Sequence, residues 1–232
     1  MLAVIVTFHF VAALRSPNME PCFAYELTAV PMSLFKDATS MRKTEKSQLA
    51  RELFKQGKYS STNVMTAGFV IDGGWLLHEV KWQPGGVFED IFHQHVQFIV
   101  HHFGRNVRVV FDGYDSGPTT KDHEHLRRST KAAPTVVFDY STPAYSNQAA
   151  FLANQQNKKA FVDQLMQHLI AAGMNVDQAA ADADCLIVDT ALQAAQIGAP
   201  VTLVANDTDI LVMLLYHFDA TIMADIVLHM EM

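Results

Sequence analysis

Two stretches of the chain place paired aspartates where burial would otherwise select aliphatic side chains. They are Ala181-Asp182-Ala183-Asp184-Cys185-Leu186-Ile187-Val188 and Val204-Ala205-Asn206-Asp207-Thr208-Asp209-Ile210-Leu211. Two single aspartates follow apolar runs earlier in the chain: Asp72 in Val70-Ile71-Asp72-Gly73-Gly74 and Asp112 in Val110-Phe111-Asp112-Gly113. Two ionised carboxylates about 4 Å apart repel by roughly 4 kcal/mol at an effective dielectric of about 20. Several of them gather only if they hold protons at raised pKa or share a cation. From residue 160 onward the chain has ten Asp or Glu and no Lys or Arg, so no counter-ion lies nearby in sequence. Hard carboxylate oxygens suit Mg²⁺ or Mn²⁺ rather than zinc. Two such ions about 4 Å apart support in-line phosphodiester displacement, one activating water and the other stabilising the leaving oxygen.

Plainer roles account for part of this pattern. An acid at a helix start complements the helix dipole, and Asn206 or Asp207 can cap a helix over 208–217. Each pair therefore has one member that capping explains and one left over. An aspartate after a strand is commonly a turn former or helix cap. The distinguishing feature is that Asp72, Asp112, Asp182, Asp184, Asp207 and Asp209 all fall on strand ends or helix starts consistent with one sheet edge.

The elements that would build that edge can be read in order. Ala67 to Gly74 is an apolar run closed by an acid and two glycines. That is the pattern of a buried parallel strand opening into a loop at its C-terminal end, where open α/β sheets place their ligands. Arg108 to Gly113 repeats it. The spacing of Val87, Ile91, Phe92, Phe98 and Ile99 predicts a crossover helix over 87–103. Its His93, His95, His101 and His102 lack the adjacent-turn spacing of a helical zinc pair and read as polar-face residues. A short strand over Thr135 to Phe138 and a long helix over 146–172, ended by Gly173, come next. A third strand over Met174 to Val176, a helix over 179–196, a fourth strand over 201–205, the helix over 208–217 and a last strand over 221–229 complete the series. Alternating strand and helix give the expected fold class: α/β, three layers, with a mainly parallel central sheet between helices.

The chain has 232 residues and a formal charge of −7, which hides an asymmetry. All 17 Lys and Arg lie in residues 1–159, against 14 acids there, which suggests a basic surface for an anionic partner beside an acidic pocket. Residues 1–60 are expected to form an appendage, irregular to about residue 35 and then a basic amphipathic helix over 36–58 with Leu49, Leu53 and Phe54 at helical spacing. A polar linker over 57–66 leads to the domain proper, 67–232. The segment 117–131 is rich in Lys and Arg just beyond a strand end, where it could grip phosphates. Cys22 and Cys185 give neither a disulfide framework nor a zinc site, which fits a reducing compartment. The apolar run Leu2 to Leu14 is too short to span a bilayer and lacks a basic flank, so no membrane association is expected.

The four acidic motifs, in this order and spacing, resemble those of the PIN-like superfamily in its flap endonuclease/XPG-type branch. The similarity covers about residues 67–217, and Tyr25-Glu26-Leu27 and Gly117-Pro118-Thr119-Thr120-Lys121-Asp122 resemble stretches of uncharacterised eukaryotic members. The resemblance implies a two-metal nuclease using two Mg²⁺ or Mn²⁺ ions on DNA or RNA, with an intracellular location, the nucleus ahead of the cytoplasm. It assigns Lys121 and Arg128, seven residues apart as in the family, to the scissile phosphate, with the nucleic-acid-binding Arg127 and Lys131 alongside. The family's last metal-ligating aspartate is matched only loosely by Asp219 or Asp225, and its helix-hairpin-helix segment is missing, so a domain truncated at its C-terminal end is expected. A catalytically inactive PIN-like module that binds nucleic acid or protein is the alternative. An aspartyl-nucleophile phosphohydrolase is disfavoured because Asp72 has no acid two residues on, and an Asp-x-Asp glycosyltransferase would leave Asp72 and Asp112 without roles.

Overall fold

Valine, isoleucine and phenylalanine in short runs, each stopped by a polar residue or glycine, build a wholly parallel five-stranded sheet. The computed structural model describes residues 35–37, 39–41, 48–49, 51–53, 68–113, 132–145 and 147–230. Within them a two-stranded hairpin, β1 (Phe35–Asp37) and β2 (Ser40–Met41), precedes the main sheet. Then come β3 (Gly68–Asp72), α1 (Gly73–Glu79), α2 (Phe88–Phe103) and β4 (Val107–Phe111). They are followed by α3 (Gln148–Ala153), α4 (Gln155–Ala171), β5 (Asn175–Gln178) and α5 (Asp184–Gln196). The series ends with β6 (Val201–Val204), α6 (Thr208–His217) and β7 (Ile226–His229).

The strand order is β5-β4-β3-β6-β7, every pair parallel. The chain therefore moves outward from β3 through β4 to β5, then returns to the other side of β3 for β6 and β7. That reversal makes the gap between the ends of β3 and β6 a topological switch point, where open sheets leave a crevice.

Side chains alternate along the strands and so divide the core in two. Val70, Val110 and Leu203 pack with Ile187, Ala191, Ile210 and Leu214 of α5 and α6. Ile71, Val109, Phe111 and Val204 pack with α1 to α4 on the opposite face. The second layer is aromatic, with Phe88, Phe92, Phe151 and Phe161 fully buried. Each such side chain contributes about 1.5–3 kcal/mol by leaving water. The three-layer α/β/α class expected from sequence is the one observed.

Several local expectations are corrected. The helix expected from residue 36 is a hairpin over 35–41, because the Asp37 carboxylate accepts both Thr39 N (3.0 Å) and Thr39 Oγ1 (2.9 Å) and tightens a turn. Helical residues occur only at 48–49 and 51–53 among those described there, with Leu53 on the α5/α6 core and Leu49 exposed. The helix expected over 146–172 is two helices. Asn154 breaks it, its carboxamide oxygen accepting the N–H groups of Gln156 (2.9 Å) and Asn157 (3.2 Å) as an N-cap. Thr135 to Phe138 is extended but joins no sheet. Asn157 Oδ1 accepts Val136 N at 2.8 Å and its Nδ2 donates to Pro134 O at 2.9 Å, standing in for a neighbouring strand. The last strand begins at Ile226, since Asp219 holds Thr221 in a turn. His95 is no polar-face residue: it is fully buried, with Nδ1 2.8 Å from Ile91 O. Burial pushes its pKa down to about 4.

The expectations placed on 1–34, on the linker 57–66, on Tyr25-Glu26-Leu27 and on 117–131 lie outside the described residues. Among the described residues no helix is long and apolar enough to cross a membrane.

Candidate metal centre

Asp72 ends β3 and caps α1, its Oδ1 accepting Gly74 N at 2.7 Å. The glycine after it is required by packing: a Cβ on Gly73 would lie 2.3 Å from the Phe111 ring. β4 is thereby held close against the start of α1, and Asp112, the next residue along, reaches the same edge. Asp112 Oδ1 accepts Ala183 N at 3.1 Å, at the start of α5. Gly113 N donates to Ala181 O at 2.6 Å, and a Cβ on Gly113 would lie 2.3 Å from Ala179 O and Ala180 O. The two Asp-Gly steps are thus close-approach devices: Gly73 admits Phe111, and Gly113 admits the 179–183 loop that leads into Asp184.

On the far side of β3, Asp207 caps α6 by accepting Asp209 N at 2.9 Å. Asp182 plays a similar part ahead of α5, accepting Asp184 N at 3.1 Å. A local bond to a backbone amide therefore occupies one member of each pair, as a helix cap at Asp207 and as a turn at Asp182, where the N-cap of α5 is Ala183. The members it leaves over, Asp184 and Asp209, meet across the gap: with Asp207 they offer oxygens that lie within 4.8 Å of one another. This cluster of three could hold a metal ion. Asp182 is not part of it.

Asp72 stands beside the cluster and records its charge. Its pKa is raised to about 6, first by burial and then by the neighbouring Asp112 and Asp207, while the Gly74 and Trp75 amides pull the other way. Asp72 thus feels Asp112 and Asp207, the aspartates that follow the strands on either side of it, with burial as the larger cause of its shift. An open cleft of about 620 Å³ lies alongside, lined by residues that include Asp72, Trp75, His78, Lys81, Asn206 and Asp207.

Sequence reasoning missed the cations nearest to this edge. Lys158 Nζ lies 3.8 Å from Asp112 Oδ2. It sits at the N-terminal end of α4, which has no acid in its first turn. Cations are disfavoured at that end of a helix, so the Lys158-Lys159 pair just after an Asn cap was the available signal. Lys121, Arg127, Arg128 and Lys131 lie outside the described residues. The loose matches to a last ligand are placed at the wrong edge. Asp225 O accepts Val201 N at the start of β6, and Asp219 lies between the end of α6 and the start of β7, so both are at the edge opposite the cluster.

Fold and site together define a parallel α/β protein with a carboxylate cluster at its switch point, able to bind a metal ion. No protein-family model, curated protein or solved structure matches the chain.

Proposed function

We propose that the chain is a Mg²⁺- or Mn²⁺-dependent nuclease that hydrolyses phosphodiester bonds of DNA or RNA. The observation that carries this reading is the meeting of Asp184, Asp207 and Asp209 at the switch point, with Asp72 close enough to have its proton affinity raised by Asp207. The donor set is all carboxylate, which fits hard divalent cations. Asp184, Asp207 and Asp209 would hold one ion, and Asp72 and Asp112 are the residues available to complete a two-ion site. Bound there, the ions supply an activated water and neutralise the leaving oxygen. The protein's own part is positional. The caps at Asp72 and Asp207 and the Asp112–Ala183 contact fix the carboxylates before any ligand arrives, so little reorganisation remains. By its resemblance to flap endonucleases, the segment carrying Lys121 and Arg128 would neutralise the scissile phosphate, with Arg127 and Lys131 gripping the strand.

One observation favours a second reading, a PIN-like module that binds without cutting: neither Asp219 nor Asp225 reaches the cluster to serve as a last ligand. Calorimetry with Mn²⁺, run beside cleavage of labelled flap, single-stranded and duplex substrates, separates the two. The nuclease reading expects Mn²⁺ binding and cutting, both lost in Asp207→Asn. Binding with no cleavage of any substrate leaves the module; absence of both removes the metal centre.

A further inference from the structure

A phosphodiester approaching these carboxylates meets a repulsive field, and the ions alone cover only the bond being cut. Flanking phosphates need cations of the protein's own. Among the described residues two arginines are committed elsewhere. Arg105 donates to Ala172 O at 2.6 Å, and Arg108 pairs with Asp177 at 3.0 Å. Lys158 and Lys81 are different, because both lie at the carboxylate edge.

Lys158 leans over Asp112 from the start of α4, half-buried, while its neighbour Lys159 is exposed. Lys81 follows α1 and lines the cleft together with Asp72, His78 and Asp207, its ammonium donating to the His78 carbonyl. His78 lies in the last turn of α1 and lines the same cleft as Lys81. From the end of β4 to the mouth of the cleft, then, a row of nitrogen groups borders the carboxylates on the α1 and α4 side. We infer that Lys158, His78 and Lys81 form a phosphate-binding rim that holds the backbone of a single nucleic-acid strand next to the bond placed at the carboxylate cluster. The charge of both lysines is felt at the His78 ring, whose pKa is lowered by burial first and then by Lys158 and Lys81, as expected if the three share one small region. A cleft of about 620 Å³, open to solvent, lies along this row. The lysines supply charge alone, so the rim reads backbone and not sequence.

The inference rests on the nuclease reading only for the class of ligand, and its test is independent of cutting. The full-length protein is titrated, in chelator, with a short fluorescein-labelled single-stranded DNA over a range of salt, and anisotropy gives the slope of log K against log salt. Each lysine that neutralises a phosphate contributes about 0.7 to that slope on a single strand. Lys158→Met and Lys81→Met are each expected to flatten the slope by about 0.7, and the double variant by about 1.4. Lys159→Met and Lys158→Arg should leave it unchanged. A purely structural Lys158, serving only as counter-ion to Asp112, would lower the melting temperature without moving the slope. Lys81 is exposed, so its variant folds and keeps the test decisive if Lys158→Met does not. An unchanged slope in both Met variants, or no binding by the unmodified protein at low salt, overturns the rim. Cleavage in Mn²⁺ with unchanged slopes sinks the rim and spares the nuclease; flattened slopes without cleavage do the reverse.

Discussion

The carboxylate of Asp112 accepts the backbone N–H of Ala183 at 3.1 Å, across 71 residues of chain. A side chain at the end of β4 thereby satisfies an amide at the start of α5 that no helical carbonyl can reach. Charge and acceptor can be separated experimentally. Asp112→Asn keeps an oxygen for Ala183 and should fold with stability close to that of the unmodified protein while losing cleavage. Asp112→Ala orphans the amide and is expected to cost about 1–2 kcal/mol in urea unfolding. Equal stability of the two variants would show that the contact is not structural.

Asp72 offers a second separation, this time of stability from function. Its folded pKa of about 6 lies above its ordinary value of 3.8. The native state thus binds the extra proton within that window, and stability falls as pH rises through it and stays lower at neutral pH. Asp72→Asn keeps an oxygen for Gly74 N and removes the unfavourable charge. In chelator at neutral pH it should be about 1–2 kcal/mol more stable than the parent, with the difference vanishing below about pH 4. Adding Mn²⁺ at a hundredfold excess over Kd should reverse the ranking, since ligand binding contributes about 2.7 kcal/mol to a protein that can bind it. Thermal melts of the two proteins with and without Mn²⁺ decide the matter.

Gly113 is the hinge point of the acidic loop in a purely steric sense. A methyl group there would press on two backbone carbonyls, which cannot rotate away as a side chain can. Gly113→Ala is expected to cost about 1–3 kcal/mol and to displace the loop that leads into Asp184. Mn²⁺ affinity measured by calorimetry should fall with it, although no ligand has been altered. Full affinity in this variant would mean that the 179–183 loop does not set the centre.

His95 predicts an acid limb of opposite sign to that of Asp72. Its pKa is lowered from 6.5 to about 4 by burial in the α2 and α4 layer, beside Phe161, and its Nε2 has no hydrogen-bond partner among the described residues. The unfolded chain binds the proton first, so stability is lost as pH falls from about 6.5 towards about 4, by up to about 3 kcal/mol. Urea midpoints of His95→Leu should be flatter over that range than those of the parent. The comparison is cleanest in the Asp72→Asn background, where the opposing titration is absent.

The sheet and the acidic edge were legible because their signals are local. Val70-Ile71-Asp72-Gly73 and Val110-Phe111-Asp112-Gly113 state a buried strand and its exit in consecutive letters, and parallel pairing then forces all the exits to one side. Each acidic pair could be seen to hold one more acid than a helix start explains, but which member of the 182/184 pair joins the cluster, and that the capping Asp207 joins it too, depended on the fold. What failed depended on contacts between distant parts of the chain. Nothing near His95 in sequence says that Phe161 will close over it, so a helix face with four histidines read as solvated. Asn154 and Asn157 look like ordinary polar helix residues until their carboxamides are seen capping α4 and pairing with 134–136. Lys158 stands apart from the denser basic stretch at 117–131, and only the fold brings it to Asp112.

The chain has two tryptophans, and the fold has assigned them different surroundings. Trp82 is packed among phenylalanines, its ring stacked on Phe161 with centroids 5.1 Å apart. Trp75 forms part of the cleft wall three residues from Asp72. Trp75 is also buried against Phe98 and Phe103, so one indole reports the aromatic layer alone and the other reports that layer and the cleft together. With Trp82→Phe in place, emission from Trp75 alone would follow the arrival of a cation or a strand in real time, with no label attached.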